Sequence, residues 1–116
     1  MGMTISPNVR YASQMTAHAP AADTAAVVTL AAPGVGKRHV VSKIDVSYSG
    51  TVAAAGLTIT GLDTGTYAVV WAAAEAFHQI AFDPPLRGLD NTAVVITATD
   101  PGNAAGTAKL NVVHAK

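Results

Sequence analysis

Residues 39–49, His-Val-Val-Ser-Lys-Ile-Asp-Val-Ser-Tyr-Ser, carry the clearest secondary-structure signal in the chain. In an extended backbone, successive side chains point to opposite faces. One face of this stretch then holds Val40, Ile44, Val46 and Tyr48, and the other holds Lys43, Asp45, Ser47 and Ser49. Such an alternation of apolar and polar residues predicts a half-buried β-strand, from which Val41 and Ser42 are the exceptions.

Short apolar runs of a similar kind lie on both sides of this stretch. They cover residues 25–31, 57–62, 66–72, 77–83, 92–99 and 107–114. Turn-forming residues separate them at 32–37, 63–65, 84–88 and 100–103, and Pro84-Pro85 predicts that the preceding strand ends at residue 83. Residues 68–80 contain alanines that favour a helix. We instead predict a strand, a short alanine-rich turn and another strand there, because residues 69–71 are Val-Val-Trp.

The spacing of these runs predicts an all-β domain, an antiparallel β-sandwich of about seven to eight short strands. A jelly-roll-like arrangement is expected, and an immunoglobulin-like one is the alternative. Residues 1–24 lack a sustained period, so we predict an extended N-terminal arm there, with a short strand near 9–11, and a β-sandwich domain over 25–116. An arm of this kind is either loose or ordered against a neighbouring subunit, and its candidate interface residues are Pro7, Val9, Tyr11 and Met15.

The composition excludes several functional classes. The chain has 116 residues, 12% of them charged, with a formal net charge of zero and no cysteine. It is too apolar for a disordered protein, it lacks the basic excess of a nucleic-acid binder, and it has no thiol for catalysis or metal binding. It also has no secretory leader pattern and no run of about 20 apolar residues for a membrane helix. A surface with so few charges favours self-association, so we expect a homo-oligomer.

No catalytic or cofactor motif is evident. The histidines (His18, His39, His78 and His114) lack metal-ligand spacing, so we interpret them as isolated residues at strand ends or on solvent faces. Residues 34–37, Gly-Val-Gly-Lys, lack the spacer of a phosphate loop and predict a hairpin loop whose glycines adopt positive φ. A calcium site from Asp90, Asn91, Asp100 and Asn103 stays open if loops at one end of the sandwich converge. We therefore predict no enzyme, no cofactor and no metal.

Two aromatic residues leave a choice open. Tyr67 and Trp71 would form a sugar-stacking platform if they were exposed. They share a strand face with Val69, which favours the core instead.

The second half of the chain resembles the small β-sandwich structural proteins of tailed-bacteriophage virions. The resemblance rests on residues 82–88 (FDPPLRG), 91–97 (NTAVVIT) and 106–113 (GTAKLNVV), and it covers roughly residues 25–115. It implies a virion component assembled in the host cytoplasm, usually a trimer: a capsid decoration (cement) protein, a head fibre, or a tail or fibre module. The implied partners are further copies of the chain and the major capsid protein or other virion proteins, with neither nucleic acid nor membrane.

Three hypotheses follow. The first is a non-enzymatic capsid decoration protein that binds the outer shell as an oligomer and stabilises it. The second is a tail or fibre module that recognises a host-surface receptor. The third is a small hydrolase or lyase on a jelly roll, which would need a His/Asp cluster that the sequence does not display.

Overall fold

The computed structural model describes residues 15–22, 24–50, 52–53, 55–71, 77–102 and 106–115, and for residues 15–22 it describes the backbone alone. All regular structure in these ranges is β-structure. The eight strands are β1 (Met15–Ala22), β2 (Ala26–Leu30), β3 (Val40–Ser49), β4 (Ala55–Thr60), β5 (Tyr67–Trp71), β6 (Phe77–Arg87), β7 (Val94–Ala98) and β8 (Thr107–Ala115). No helix in the described ranges is long and apolar enough to cross a membrane.

The strands form two antiparallel sheets with an alternating order. Sheet A runs β1-β8-β3-β6, and sheet B runs β2-β7-β4-β5. Chain connections therefore cross repeatedly between the sheets, and this strand order is that of an eight-stranded jelly roll built from two Greek keys. The predicted jelly-roll-like antiparallel β-sandwich is confirmed, and the immunoglobulin-like alternative is not the one adopted.

The core lies between the two sheets and is almost entirely aliphatic. Its fully buried side chains include Val41, Ile44 and Val46 of β3, Leu57 and Ile59 of β4, Val94 and Ile96 of β7, and Leu110 and Val112 of β8. In β2, β7 and β8 every second residue is buried, as the alternation in the sequence predicts. Small and β-branched residues fill the space between the sheets, so the domain needs few aromatic residues.

A β-bulge explains the two exceptions in β3. The pairing register of β3 with both β6 and β8 shifts between Val41 and Lys43. Relative to β8, Ser42 is the extra residue, and it reverses the alternation of β3 there. Val41 is consequently fully buried, and Val40, which the alternation placed on the inner face, is only half-buried.

Two predicted boundaries differ from the structure. β6 continues through Pro84 and Pro85 to Arg87, where we expected a stop at residue 83. Both prolines lie in residues 82–85, which have no partner in the β3–β6 register between the Lys43–Ala81 and Val41–Leu86 pairs, and β6 is the edge strand of sheet A, so their missing N–H groups break no pair of that register. The Asp83–Pro84 peptide bond is cis.

The predicted arm also needs correction. Residues 15–22, which we assigned to an arm outside the domain, form β1 and pair with β8 along their full length. Pro20 is tolerated because β1 is the other edge of sheet A. The strand expected near residues 9–11 lies outside the described residues.

Candidate functional site

Within the described strands, the outer face of sheet B carries no charged side chain. It consists of Val27, Thr29, Thr58, Thr60, Ala68, Val70, Val95 and Thr97, which we call the neutral face. The strand registers align these residues in rows across the sheet; in one row, Val27 lies opposite Thr97, Thr97 opposite Thr58, and Thr58 opposite Ala68. Alternating valine and threonine gives this face methyl groups and hydroxyls without carboxylates or amines.

The charged residues that lie in the eight described strands all belong to sheet A. They are Lys43, Asp45, Asp83, Arg87 and Lys109. On its outer face, the Asp45 carboxylate accepts a 2.9 Å hydrogen bond from Gln79 and lies 4.0 Å from the Lys43 ammonium. The low overall charge of the chain is thus unevenly distributed, because one sheet is well solvated and the other presents the neutral face.

The sandwich is less tightly closed on the side of β5 and β6. The inward residues of β2, at the opposite edge of sheet B, are at most 6% exposed. The inward residues of β5 and β6 are only half-buried, although they pack against the core. Four of them form two ring pairs across this opening, Tyr67 with Phe82 and Trp71 with His78, which we call the aromatic seam.

The aromatic seam decides the choice left open for Tyr67 and Trp71. Tyr67 meets Phe82 edge to face with ring centroids 5.4 Å apart, and Trp71 stacks on His78 at 4.3 Å. Both side chains face inward against the core, as their alternation with Val69 predicts, but they remain half-buried. Since one face of the Trp71 ring is occupied by His78, the pair is poorly arranged as a sugar platform.

Tyr48 links the two sheets near one end of the sandwich. Its hydroxyl donates a 2.8 Å hydrogen bond to the carbonyl of Thr99 and accepts a 3.4 Å bond from the N–H of Gly56. Burial of the ring raises the pKa of the Tyr48 hydroxyl; the Gly56 backbone opposes this shift, and the charge of Asp100 adds to it. Its geometry is that of a structural tie from β3 to the strands of sheet B.

Two histidines meet inside the domain, where the sequence indicated isolated ones. His39 and His114 are 4% and 5% exposed, and their ring centroids lie 6.1 Å apart. The Nε2 of His39 lies 2.6 Å from the carbonyl oxygen of Ala31, which requires the proton on that nitrogen. The interpretation as isolated histidines is wrong for this pair, because the β3–β8 pairing brings residues 75 positions apart together.

The loop residues considered for calcium do not converge. Asp90 and Asn91 precede β7, whereas Asp100 follows it, so the strand holds them at opposite ends of the sandwich. Asn91 accepts a hydrogen bond from the N–H of Gly34, and Asp100 accepts one from Gly102. Asn103 lies outside the described residues, and within them no cluster of three or more histidine or acidic residues is placed to hold a metal ion.

The turn at residues 34–37 is a backbone turn. Gly34 and Gly36 have φ of 112° and 80°, and Lys37 donates its N–H to the carbonyl of Gly34. The positive φ predicted for these glycines is confirmed, but the predicted hairpin is wrong, because the loop connects β2 of sheet B to β3 of sheet A.

A shallow cleft of about 400 Å³ lies beside Pro84, Pro85 and Leu86. At its rim, Asp63 is 3.5 Å from Arg38 and 3.9 Å from Arg87. The Asp63 carboxylate thus forms surface ion pairs with two guanidinium groups.

The interface residues predicted from sequence fall largely outside the described part of the chain. Pro7, Val9 and Tyr11 lie there, and Met15 is the first residue of β1, paired with His114. The neutral face was not predicted as a unit. The outward positions of Thr58 and Thr60 are evident from alternation, but their proximity to Val27, Val95 and Thr97 depends on the order of strands in the sheet.

No protein-family model and no curated protein matches the chain. Among solved structures, it is similar to a protein of the virus-like particle of the giant freshwater prawn Macrobrachium rosenbergii extra small virus. The identity is 14% and the TM-score is 0.32, over 89% of this chain and 79% of that one. It is also similar to the Tobacco streak virus coat protein, at 10% identity and a TM-score of 0.37, over 98% of this chain and 91% of that one. Neither is a bacteriophage protein.

Proposed function

We propose that this chain is a non-enzymatic structural protein of a virion, a capsid decoration protein that binds the outer shell as a homo-oligomer. The observation that carries the proposal is the neutral face on a jelly-roll domain. Jelly rolls recur in viral capsid proteins, in lectins and in cupins. The interior and the aromatic residues of this chain favour the first of these.

The interior leaves little room for chemistry. Ile44, Ile59, Ile96 and Leu110 are fully buried between the sheets, where a cupin-like enzyme would place metal ligands and substrate. Two histidines, His39 and His114, are buried among the described residues. No third histidine or acidic residue in the described chain is placed with them to complete a metal site. A lectin-like role would use exposed aromatic rings, whereas Tyr67 and Trp71 face inward.

The neutral face suits contact with a protein surface. Burying a charged side chain costs several kcal/mol unless it is paired, and valine and threonine methyl groups avoid this cost. Four strands about 4.8 Å apart and five residues long give a face of about 19 by 17 Å, or about 300 Å² of flat area. A stable interface needs about 800 Å² per partner, so one copy binds weakly and several joined copies bind firmly.

The test uses the purified full chain and intact particles of the virus that encodes it. Thr60→Lys places a charge at an exposed position of the neutral face, at the end of β4, and Gln79→Lys is its matched control on sheet A, beside Asp45. We expect wild type and the control to co-sediment with particles and Thr60→Lys to lose at least tenfold in bound protein. Cryo-electron microscopy of the particles should place the chain on the outer shell.

Three results would contradict parts of the proposal. Particles that lack the chain would exclude shell decoration. Density for the chain at a tail or fibre would also exclude it and would favour receptor recognition. Equal binding by the two lysine variants would remove the neutral face from the interaction. The number of subunits, which the phage-protein resemblance gives as three, is measured from the symmetry of the density.

A further inference from the structure

The outer edge of β5 presents backbone groups that no described residue pairs. β5 is the last strand of sheet B, with β4 on its only paired side. Gly56 directs its carbonyl toward β7, where it accepts the N–H of Thr99. In an antiparallel sheet the sides alternate, so Leu57 and Ile59 face β5 and bond Val69 and Tyr67. The N–H and C=O groups of Ala68 and Val70 therefore point away from the sheet.

β5 also lacks the features that usually protect a sheet edge. Natural edges are blocked by proline, by charged residues or by bulges. β1 contains Pro20, and β6 contains two prolines and two charges, whereas β5 is Tyr-Ala-Val-Val-Trp. Val70 is 82% exposed on its outer face, and the aromatic seam beneath it is half-buried.

The other edge of sheet B, β2, is uncharged as well, but its inner side chains are already buried. A partner on β2 would gain backbone hydrogen bonds and little apolar contact. A partner on β5 would gain both, because it would also cover Val70 and the open side of the aromatic seam.

We propose that β5 pairs antiparallel with β5 of a second copy of this chain, around a two-fold axis at Val69. Val69 then lies opposite Val69, and Ala68 lies opposite the second copy's Val70. This register lets the outward groups of Ala68 and Val70 form four backbone hydrogen bonds between the copies. The two B sheets become one continuous sheet of eight strands.

A second copy is the occupant that the chemistry favours. A two-fold contact places each side chain near its own counterpart, so a charged strand would repel itself. β5 has no charge to repel and none with which to select an oppositely charged partner. The pairing also joins two neutral faces into one of about 600 Å² by the strand spacing, which approaches the area that a stable interface requires. In this last respect the inference rests on the proposed function.

The experiment compares the molar masses of the wild type, Val70→Lys and Val27→Lys by light scattering after size-exclusion chromatography. Val27 is the matched control, an exposed valine on the other edge strand of sheet B. We expect Val70→Lys to have half the mass of the wild type and Val27→Lys to keep the wild-type mass. Circular dichroism and thermal unfolding of each variant check that the sandwich is retained.

Equal masses for the wild type and Val70→Lys would overturn the proposal, as would halving by Val27→Lys alone. Val70→Pro gives a second measure, because it removes one outward N–H without adding charge, and it should also lower the mass. All masses are measured without particles, so a failure here is separate from a failure of shell binding.

Discussion

Replacing Tyr48 with phenylalanine tests the tie between the sheets. The change removes one hydroxyl and leaves the ring in place against Trp71, where the centroids are 6.4 Å apart. The Thr99 carbonyl and the Gly56 N–H lose their partner. Leaving buried polar groups unsatisfied costs about 1–3 kcal/mol, so we expect about 2 kcal/mol less stability. For a domain of this size that is a fall in Tm of about 5–12 °C.

The same variant carries a pH signature. Because the pKa of Tyr48 is raised in the folded chain, its neutral form is favoured there. The resulting stability is fully present below the unfolded pKa of about 10 and is lost as pH rises through the higher folded value. The stability difference between wild type and Tyr48→Phe should therefore shrink from pH 8 to pH 11.

The assay is urea unfolding followed by circular dichroism at several pH values. Tyr67→Phe is the control, because its ring packs on Phe82 and its hydroxyl bonds no described residue. A Tyr48→Phe midpoint equal to that of the control at pH 8 would refute the tie. A difference that stays constant to pH 11 would refute the role of burial.

Two further substitutions test the backbone and the core. Gly61 has φ of 88°, and a Cβ there would collide with the carbonyl oxygen of Ala93. Gly65 also has a positive φ, but a Cβ there would meet no atom within 4 Å, so it is the matched control. Gly61→Ala should therefore lower the free energy of unfolding, measured in urea, by at least about 2 kcal/mol more than Gly65→Ala does. Equal midpoints would show that the close approach of the two chain segments is not constraining. Ile96→Ala should lower the free energy of unfolding by about 2–5 kcal/mol, because Ile96 is fully buried. Val95 points outward on the same strand, so Val95→Ala should lower it by under about 1 kcal/mol. Similar losses for the two variants would contradict the assignment of faces in β7.

Local alternation was sufficient to predict β2 to β8, but neither β1 nor which strands pair. The buried residues of β8, Ala108, Leu110 and Val112, follow the period of two that the sequence displays. Val41 does not, because Ser42 is an extra residue relative to β8 and reverses the pattern; the alternation marks both residues as exceptions but does not predict a bulge. β1 was missed because alanine, threonine and proline give it little contrast between faces.

The parts of the candidate site that could not be predicted from the sequence depend on contacts between residues far apart in the chain. The meeting of His39 with His114 and the separation of Asp90 from Asp100 both depend on which strands pair. The same holds for the neutral face, whose members come from four strands. Low charge in the composition indicated an associating surface, and the order of sheet B gives that surface a location.

The pairing of β1 with β8 has a consequence for how the domain forms. Among the described strands, β1 comes first along the chain and pairs with β8, which comes last, about 90 residues later. Contacts so distant in sequence are slow to form, because the entropy of closing the loop is lost before the pairing is gained. During synthesis, β1 can complete sheet A only after β8 has left the ribosome. Closure of the jelly roll is therefore a late event that depends on the C-terminal strand.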